Sequence, residues 1–324
     1  MRNVYCTYFN SGYLSRGIVL IRSMREHVPG FELEVLCFDD SAYEFLRREA
    51  LPGVRPCRLA DFEGRCPEVA SVKPSRSTSE YFFTCTSNWT WDVAERNPTA
   101  DMVTYLDADM RFYSSPEPAL AEMANRDVMI CEHEPGGKET PFGRFNVGWL
   151  TFRLSETGLR CLRKWKDDCV DWCYDRVEDG KFADQKYLDA WPAMLGERLA
   201  IAPRTLDLGP WGVGRGEFKV VDGTPSVGGL PIILYHFQGL RILDTSRYYL
   251  GYYFNHSIRA LLTGLYEPYI RELQTVEREF SLNDGNARYA RGGFLYNLLT
   301  SYRLGHPFLA DVKRIFQSLV NSLR

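Results

Sequence analysis

Hydrophobic and polar positions in the first sixty residues switch repeatedly between two periods, and each switch predicts a new element. Residues 4–8 form a short apolar run fit for a strand. Residues 15–27 then carry Ile18, Leu20, Ile21 and Met24 at helical spacing. A second strand is predicted at 34–38. Ser41-Ala42-Tyr43-Glu44 has the pattern of a capping box, so a helix should start there and stop at Pro52-Gly53. A third strand follows at 54–59. This β-α-β-α-β rhythm predicts an α/β protein with a mostly parallel, doubly wound sheet rather than a bundle or a sandwich.

Further along, residues 75–96 read as helical and aromatic, and 103–106 as a buried strand. A short extended piece at 110–116, a helix at 117–125 and a strand at 127–131 lead into a Gly/Pro-rich loop at 132–144, a candidate lid. Residues 146–152 read as a strand, after which Ser155 should cap a long helix that carries Trp165, Cys169, Trp172 and Val177 and ends at Glu178-Asp179-Gly180. A shorter helix is expected from Phe182, with Asp184 as an N-cap, and a last strand at 232–235. From Asp244 the pattern turns to aromatic helices, Tyr248, Tyr249 and Tyr253 among them. The expected division is therefore 1–243 and a helical C-terminal extension, 244–324.

The most informative stretch is the apolar run 103–106 followed by Asp107-Ala108-Asp109. Side chains two apart on a strand point the same way, and the carboxyl ends of strands in an α/β sheet open into the ligand crevice. Two carboxylates there suit a hard divalent cation that also takes phosphate oxygens. An isolated Asp-x-Asp is more often a solvated turn. Its position at a buried strand end is what favours the metal.

Composition narrows the function classes. The 324 residues are 45% hydrophobic, enough for a large core, and a net charge of −3 provides no global field for nucleic acid. The N-terminus enters a strand pattern at once, with no signal-peptide character, and no apolar run reaches the ~18 residues of a membrane span. Nine scattered cysteines, an odd count without any Cys-x-x-Cys, fit a reduced, cytoplasmic setting. Cys169 and Cys173 read as core. Asn88-Trp89-Thr90 and Asn255-His256-Ser257 match a glycosylation pattern to which no function is assigned.

Taken in order, Leu106-Asp107-Ala108-Asp109, Phe145-Asn146-Val147-Gly148, residues 179–189, Gly209-Pro210-Trp211 and Tyr235-His236-Phe237-Gln238-Gly239 resemble the motifs of bacterial GT-A glycosyltransferases related to family 8. The resemblance covers about residues 1–243. It implies a Rossmann-like GT-A fold and transfer of a hexose-type sugar from a nucleotide diphosphate, most often UDP, to a glycan or lipid-linked acceptor. A role in cell-surface polysaccharide synthesis would follow. It also implies Mn²⁺ or Mg²⁺ held by Asp109 and His236, with Asp107 in the metal shell or on the ribose. Asp184 would bond donor-sugar hydroxyls and Gln185 lie near the anomeric carbon, with retention of configuration. Thr7 and Tyr8 fall where the base binds, Arg76 and Asn146 where the sugar binds, and Arg241 on the diphosphate. Arg241 stands where the family pattern carries lysine, a swap that is not neutral on a phosphate.

For other side chains the residues leave two readings. Trp149 and Trp211 can stack on a sugar face or belong to the core, and His236 can be a core imidazole. Glu132, His133 and Glu134 are the groups to consider as a general base if the enzyme inverts. A sugar-1-phosphate nucleotidyltransferase would need a Gly-rich basic loop after the first strand, and residues 7–16 lack one. A non-catalytic sugar-binding protein would not need Asp107, Asp109, Asp184 and His236 together. Residues 288–324 carry an apolar stripe beside basic residues, as in helices that lie on anionic membranes. The alternative is docking on the catalytic domain or on a second subunit.

Overall fold

A computed structural model describes residues 1–133, 140–213, 216–243, 247–250 and 259–282, and the backbone of 302–303. The chain forms two compact units. The first comprises Met1–Asn10, Val28–Ala108 and Ser115–Asp207, the second Ser11–His27, Asp109–Ser114 and Leu208–Arg324. The strands are β1 (Asn3–Phe9), β2 (Glu32–Cys37), β3 (Val54–Arg58), β4 (Met102–Leu106), β5 (Met110–Phe112), β6 (Val128–Glu132), β7 (Phe145–Arg153), β8 (Leu199–Ile201), β9 (Phe218–Val221), β10 (Thr224–Val227), β11 (Leu230–Pro231), β12 (Leu234–His236), β13 (Arg241–Ile242), β14 (Arg247–Tyr249) and β15 (Tyr302–Arg303). The helices are α1 (Leu14–His27), α2 (Asp40–Glu49), α3 (Leu59–Arg65), α4 (Pro67–Val72), α5 (Thr78–Arg96), α6 (Glu117–Leu120), α7 (Glu156–Asp171), α8 (Trp191–Leu195), α9 (Arg259–Leu261) and α10 (Glu267–Phe280).

The first unit is built on a seven-stranded sheet of order β3-β2-β1-β4-β7-β6-β8. β1, β2, β3 and β4 are parallel, as the alternating pattern predicts, and β6 pairs β8 in parallel. β7 runs antiparallel to both β4 and β6, which makes the sheet mixed. Trp89, Trp165 and Phe152 are fully buried among the side chains of α5, α7 and the sheet. α5 is buried almost all round despite its Ser, Thr and Asn residues. Thr84, Asn88 and Thr90 donate to the carbonyl oxygens of Glu80, Thr84 and Thr86 one turn earlier, so these donors are satisfied within the helix. Asn88, as part of that core, is out of reach of any glycosylation machinery.

Several element boundaries differ from expectation. α2 is capped by Asp39, whose carboxylate accepts from the Ala42 amide at 2.8 Å, and Ser41 already lies in the first turn. A carboxylate there also complements the positive end of the helix dipole. α5 has a full capping box between Ser77 and Glu80. α7 stops at Asp171, short of the predicted 178–180, although the apolar period continues. The Tyr187 hydroxyl donates to the carbonyl oxygens of Asp168 and Trp172 at 3.1 and 2.6 Å, satisfying the helix end, and 178–181 instead form a tight turn. Asp184 sits in an irregular turn ahead of a 3₁₀ segment, Lys186–Ala190, and caps no helix. Tyr248 and Tyr249 lie in β14, paired with β13 and β15, rather than in a helix.

A buried ion network braces one edge of this unit. Asp92 accepts two 2.8 Å bonds from Arg65 and one of 2.9 Å from Arg96, and Arg96 and Arg55 both reach Glu34. Asp92→Ala leaves Arg65 without its carboxylate and Arg96 with Glu34 alone. Because Arg65 and Arg96 keep 37% and 31% of their side-chain surface in water, the expected loss is about 1–3 kcal/mol, below the roughly 3–5 kcal/mol of a fully buried broken pair. Urea unfolding of Asp92→Ala checks this, and a loss under about 0.5 kcal/mol, the level of an ordinary surface substitution, would remove the network from the account of stability.

The second unit contains the antiparallel pair β5–β12, the meander β11-β10-β9 and the sheet β13-β14-β15. α10 packs along α1, burying Tyr269, Ile270, Leu273 and Val276 at helical spacing. Arg22 bridges to Glu279, and Arg111 to Glu272. Tyr269 stacks on Phe237 at 3.6 Å with nearly parallel rings, and the hydroxyls of Tyr235 and Tyr266 are 2.9 Å apart. The C-terminal segment through residue 282 is thus integral to this unit. Among the described residues, no helix is long and apolar enough to cross a membrane. Tyr253, Asn255 and the predicted membrane-binding stripe of 309–323 lie outside the described residues.

Candidate functional site

In the first unit, β4 delivers Asp107 at its carboxyl end, and strand alternation puts Tyr105 on the same side. The Tyr105 hydroxyl donates to the Asp107 carboxylate at 2.5 Å. Tyr8, at the end of the neighbouring β1, has its hydroxyl 3.2 Å from that of Thr86 on α5. Tyr8 also stands edge-on to Phe38 at 5.0 Å, and Phe38 stacks on Phe82 at 4.0 Å, leaving a half-buried aromatic cluster. Burial raises both tyrosine hydroxyls well above their ordinary range, and the Asp107 charge raises them further.

Asp184 joins this group from the turn after α7. Its carbonyl oxygen accepts from the Trp165 indole at 2.7 Å, and the preceding Ala183 takes the left-handed conformation, φ 45°, unusual for a residue with a Cβ. Burial pushes the Asp184 carboxyl up to about 7. A hydrogen bond with Thr86 opposes that shift, and the Asp107 charge reinforces it. Gln185 donates from its amide to the Phe142 carbonyl at 2.7 Å, and Lys186 to that of Thr140 at 3.1 Å. The second half of the 132–144 loop is thus tethered to residues 185–189, whereas 134–139, including Glu134, lie outside the described residues.

The other predicted residues of this unit have distinct surroundings. Thr7 and Asn146 are buried, and neither the Thr7 hydroxyl nor the Asn146 Nδ2 has a hydrogen-bond partner among the described residues. Buried donors of this kind call for a partner such as an ordered water or a bound ligand. Arg76 donates to the Val170 carbonyl at 3.1 Å and lies 3.9 Å over the Tyr174 ring. Trp149 is fully buried against Tyr5, which decides for core. Cys169 and Cys173 are buried free thiols, as are most of the nine cysteines, none of which forms a disulfide. Glu132 is ion-paired with Arg144, whose guanidinium contacts its Oε1 through both Nε and Nη2.

In the second unit, β5 and β12 bring together two residues 127 positions apart. Their register puts Met110 opposite His236, and the Phe237 amide donates to the Asp109 carbonyl at 2.9 Å. His236 Nε2 then lies 3.2 Å from Asp109 Oδ1, with the imidazole 3% exposed and the carboxylate 15%. Burial alone would raise the Asp109 carboxyl. The charge and hydrogen bond of His236, together with Arg16, outweigh it and hold the group below the ordinary carboxylate range. Trp211 stands edge-on to His236 at 5.5 Å. Its indole folds back over Gly209, where a Cβ would come within 2.6 Å of three ring atoms. That close approach accounts for the Gly209-Pro210-Trp211 sequence. Arg241, in β13, is partly exposed.

Asp107, Asp109 and His236 offer two carboxylates and an imidazole, ligand types that suit Mn²⁺ or Mg²⁺. Sequence reasoning did not single out Tyr105, Thr86 or Arg16. Tyr105 carried a usable signal, being two residues before Asp107 on a strand.

No protein-family profile matches the chain. It is 26% identical to the protein YfnF of Bacillus subtilis (strain 168) over 299 residues, 87% of this chain and 97% of that protein. It is 24% identical to YfnD of the same organism over 276 residues, covering 83% and 88%. Mouse xyloside xylosyltransferase 1 superposes with a TM-score of 0.51 at 12% identity, over 73% of this chain and 98% of that one. With its mostly parallel seven-stranded sheet flanked by helices, the chain has the GT-A fold.

Proposed function

We propose that the protein is a metal-dependent glycosyltransferase that moves a hexose-type sugar from a UDP-sugar to a glycan or lipid-linked acceptor, with retention. The observation that carries this reading is the hydrogen-bonded Asp109–His236 pair, built by β5 and β12 next to the strand-end carboxylate Asp107 in the chain of a GT-A fold. Asp107, Asp109 and His236 would hold Mn²⁺ or Mg²⁺. Once bound, the cation would act as a Lewis acid on the departing diphosphate.

The remaining steps belong to the protein's own groups. Tyr105 fixes the orientation of Asp107 by its short hydrogen bond. Tyr8 and its aromatic neighbours offer a stacking face for the uracil base, with Thr7 as a donor. Asn146 and Asp184 present a buried amide and a buried carboxyl to sugar hydroxyls, and Arg241 supplies a cation for the diphosphate. By the resemblance, Gln185 rather than a carboxylate matches the position beside the anomeric carbon, which supports retention. Glu132, one of the candidate bases for inversion, is ion-paired with the Arg144 guanidinium. The nine free cysteines accord with action in the cytoplasm.

The test is a screen of nucleotide sugars with Mn²⁺, reading nucleoside diphosphate release with and without excess chelator. Thermal stabilisation by the donor provides a second readout. The expected result is metal-dependent release from a UDP-sugar. Full activity in chelator, or no stabilisation by any nucleotide sugar, would overturn the reading. NMR of the first-formed glycoside should find the donor's anomeric configuration kept, and an inverted product would direct attention to Glu132 and Glu134.

A further inference from the structure

α1 carries a charged residue where its surroundings call for an apolar one. Arg16 is 1% exposed and lies among Leu14, Ile18, Val19 and Leu20, all buried on the same helix. Arginine is almost never buried this completely unless it is paired, since removing a charge from water is costly, and a Leu or Met would fill such a space without that cost. The local sequence alone does not explain its presence. Its contacts do.

The Arg16 guanidinium lies 4.8 Å from the centre of the Tyr13 ring and donates from Nη2 to the Leu240 carbonyl oxygen at 3.4 Å. Leu240 closes the turn that follows His236. Its amide donates to the Phe237 carbonyl at 3.0 Å, and Gly239 supplies the positive φ, 77°, that the turn requires. About two turns of helix further on, the Ser23 hydroxyl of α1 accepts from the Phe112 amide of β5 at 3.1 Å. α1 therefore holds both partners of the pair, Asp109 through β5 and His236 through the turn behind it. α10 in turn holds α1 and β5, through the Arg22–Glu279 and Arg111–Glu272 ion pairs.

We propose that Arg16 is a positioning residue for the Asp109–His236 pair, fixing the Phe237–Leu240 turn from inside the unit so that the imidazole stays aligned with the carboxylate for a divalent cation. The proposal rests on the metal reading given above. It makes an unusual demand, because a cation placed near metal ligands should by charge alone weaken metal binding. Removing a purely electrostatic cation would tighten it, whereas removing a positioning group loosens it.

The test uses the full chain and Mn²⁺ alone, in Arg16→Met, which keeps the stem and loses the charge and donors, and Arg16→Lys, which keeps the charge on a single donor nitrogen and loses the planar fork. Calorimetric titration should give Mn²⁺ affinity about tenfold weaker in Arg16→Met, with Arg16→Lys between it and the parent, as for other groups that orient metal ligands. Hydrogen exchange of the metal-free protein should be faster at residues 237–241 in Arg16→Met, with the amides of α10 unchanged. Tighter or unchanged Mn²⁺ binding in both variants overturns the positioning role alone. A parent protein that binds no Mn²⁺ overturns the metal reading, and this role with it. Exchange that rises equally throughout the second unit would make Arg16 a general structural brace and also overturn the proposal.

Discussion

Asp109→Ala is expected to lower donor turnover by about a thousandfold or more, which corresponds to some 4 kcal/mol of lost transition-state stabilisation and is the scale of a Lewis acid removed from a leaving diphosphate. The substitution deletes one candidate ligand and leaves a second, His236 Nε2, without the carboxylate 3.2 Å away. The β5–β12 pairing that builds the site survives, because it runs through backbone groups, including the bond from the Phe237 amide to the Asp109 carbonyl. Circular dichroism and the urea midpoint should therefore stay close to those of the parent while turnover is lost. Mn²⁺ titration supplies the independent check, with the expected loss of affinity. A variant as active as the parent would end the assignment of Asp109 to the metal.

Most of the scaffold under this site is readable in local pattern. The alternation of β1, α1, β2, α2 and β3 is visible because each element buries one face, and Ser77 with Glu80 announces α5 through a capping box. Asp107 and Asp109 are conspicuous because they interrupt an apolar strand at its end. What is not readable is whatever depends on partners distant in sequence. The antiparallel insertion of β7 between β4 and β6, and the register that places His236 opposite Met110, are decided by pairing across many residues. The end of α7 is hidden for a related reason: its apolar period runs on through Trp172 and Cys173, and the hydroxyl that satisfies its last carbonyls belongs to Tyr187, further along the chain. Tyr248 and Tyr249 fit a helix or a strand equally well by periodicity, and only pairing with β13 chooses. The meander of β9, β10 and β11 did carry a local signal, since Asp222-Gly223 and Gly228-Gly229 are hairpin turn pairs between short strands. Arg16 is a burial effect, which a charged letter in a sequence does not announce.

Asp184→Asn is expected to make the metal-free protein more stable and the enzyme slower, with the two effects separable by pH. The folded-state carboxyl, pushed by burial to about 7, binds its proton more tightly than the unfolded chain does near pH 4. Below about pH 4 both states are protonated and the group favours neither. As pH rises from about 4 to 7 the folded state alone retains the proton, so stability is progressively lost, and above about 7 the penalty is complete. Asparagine never ionises and removes this slope. The stability difference between variant and parent should therefore grow between pH 5 and pH 8 by at most about 3 kcal/mol, out of the roughly 4 kcal/mol that the whole three-unit shift supplies from pH 4 upward. Asparagine cannot reproduce every hydrogen bond of the carboxyl, so a measured difference of about 1–3 kcal/mol is the expectation. Transfer at pH 8 should fall by about a hundredfold, the scale of a misplaced reacting group, with the nucleotide affinity little changed. Urea unfolding at both pH values in chelator, set beside single-turnover transfer rates, measures the two together. Parallel stability profiles would mean that Asp184 titrates normally in the folded protein. An unchanged transfer rate would take the residue out of the donor-sugar site. Greater stability with less activity above neutral pH is the combination expected of a carboxyl kept buried for its chemistry rather than for the fold.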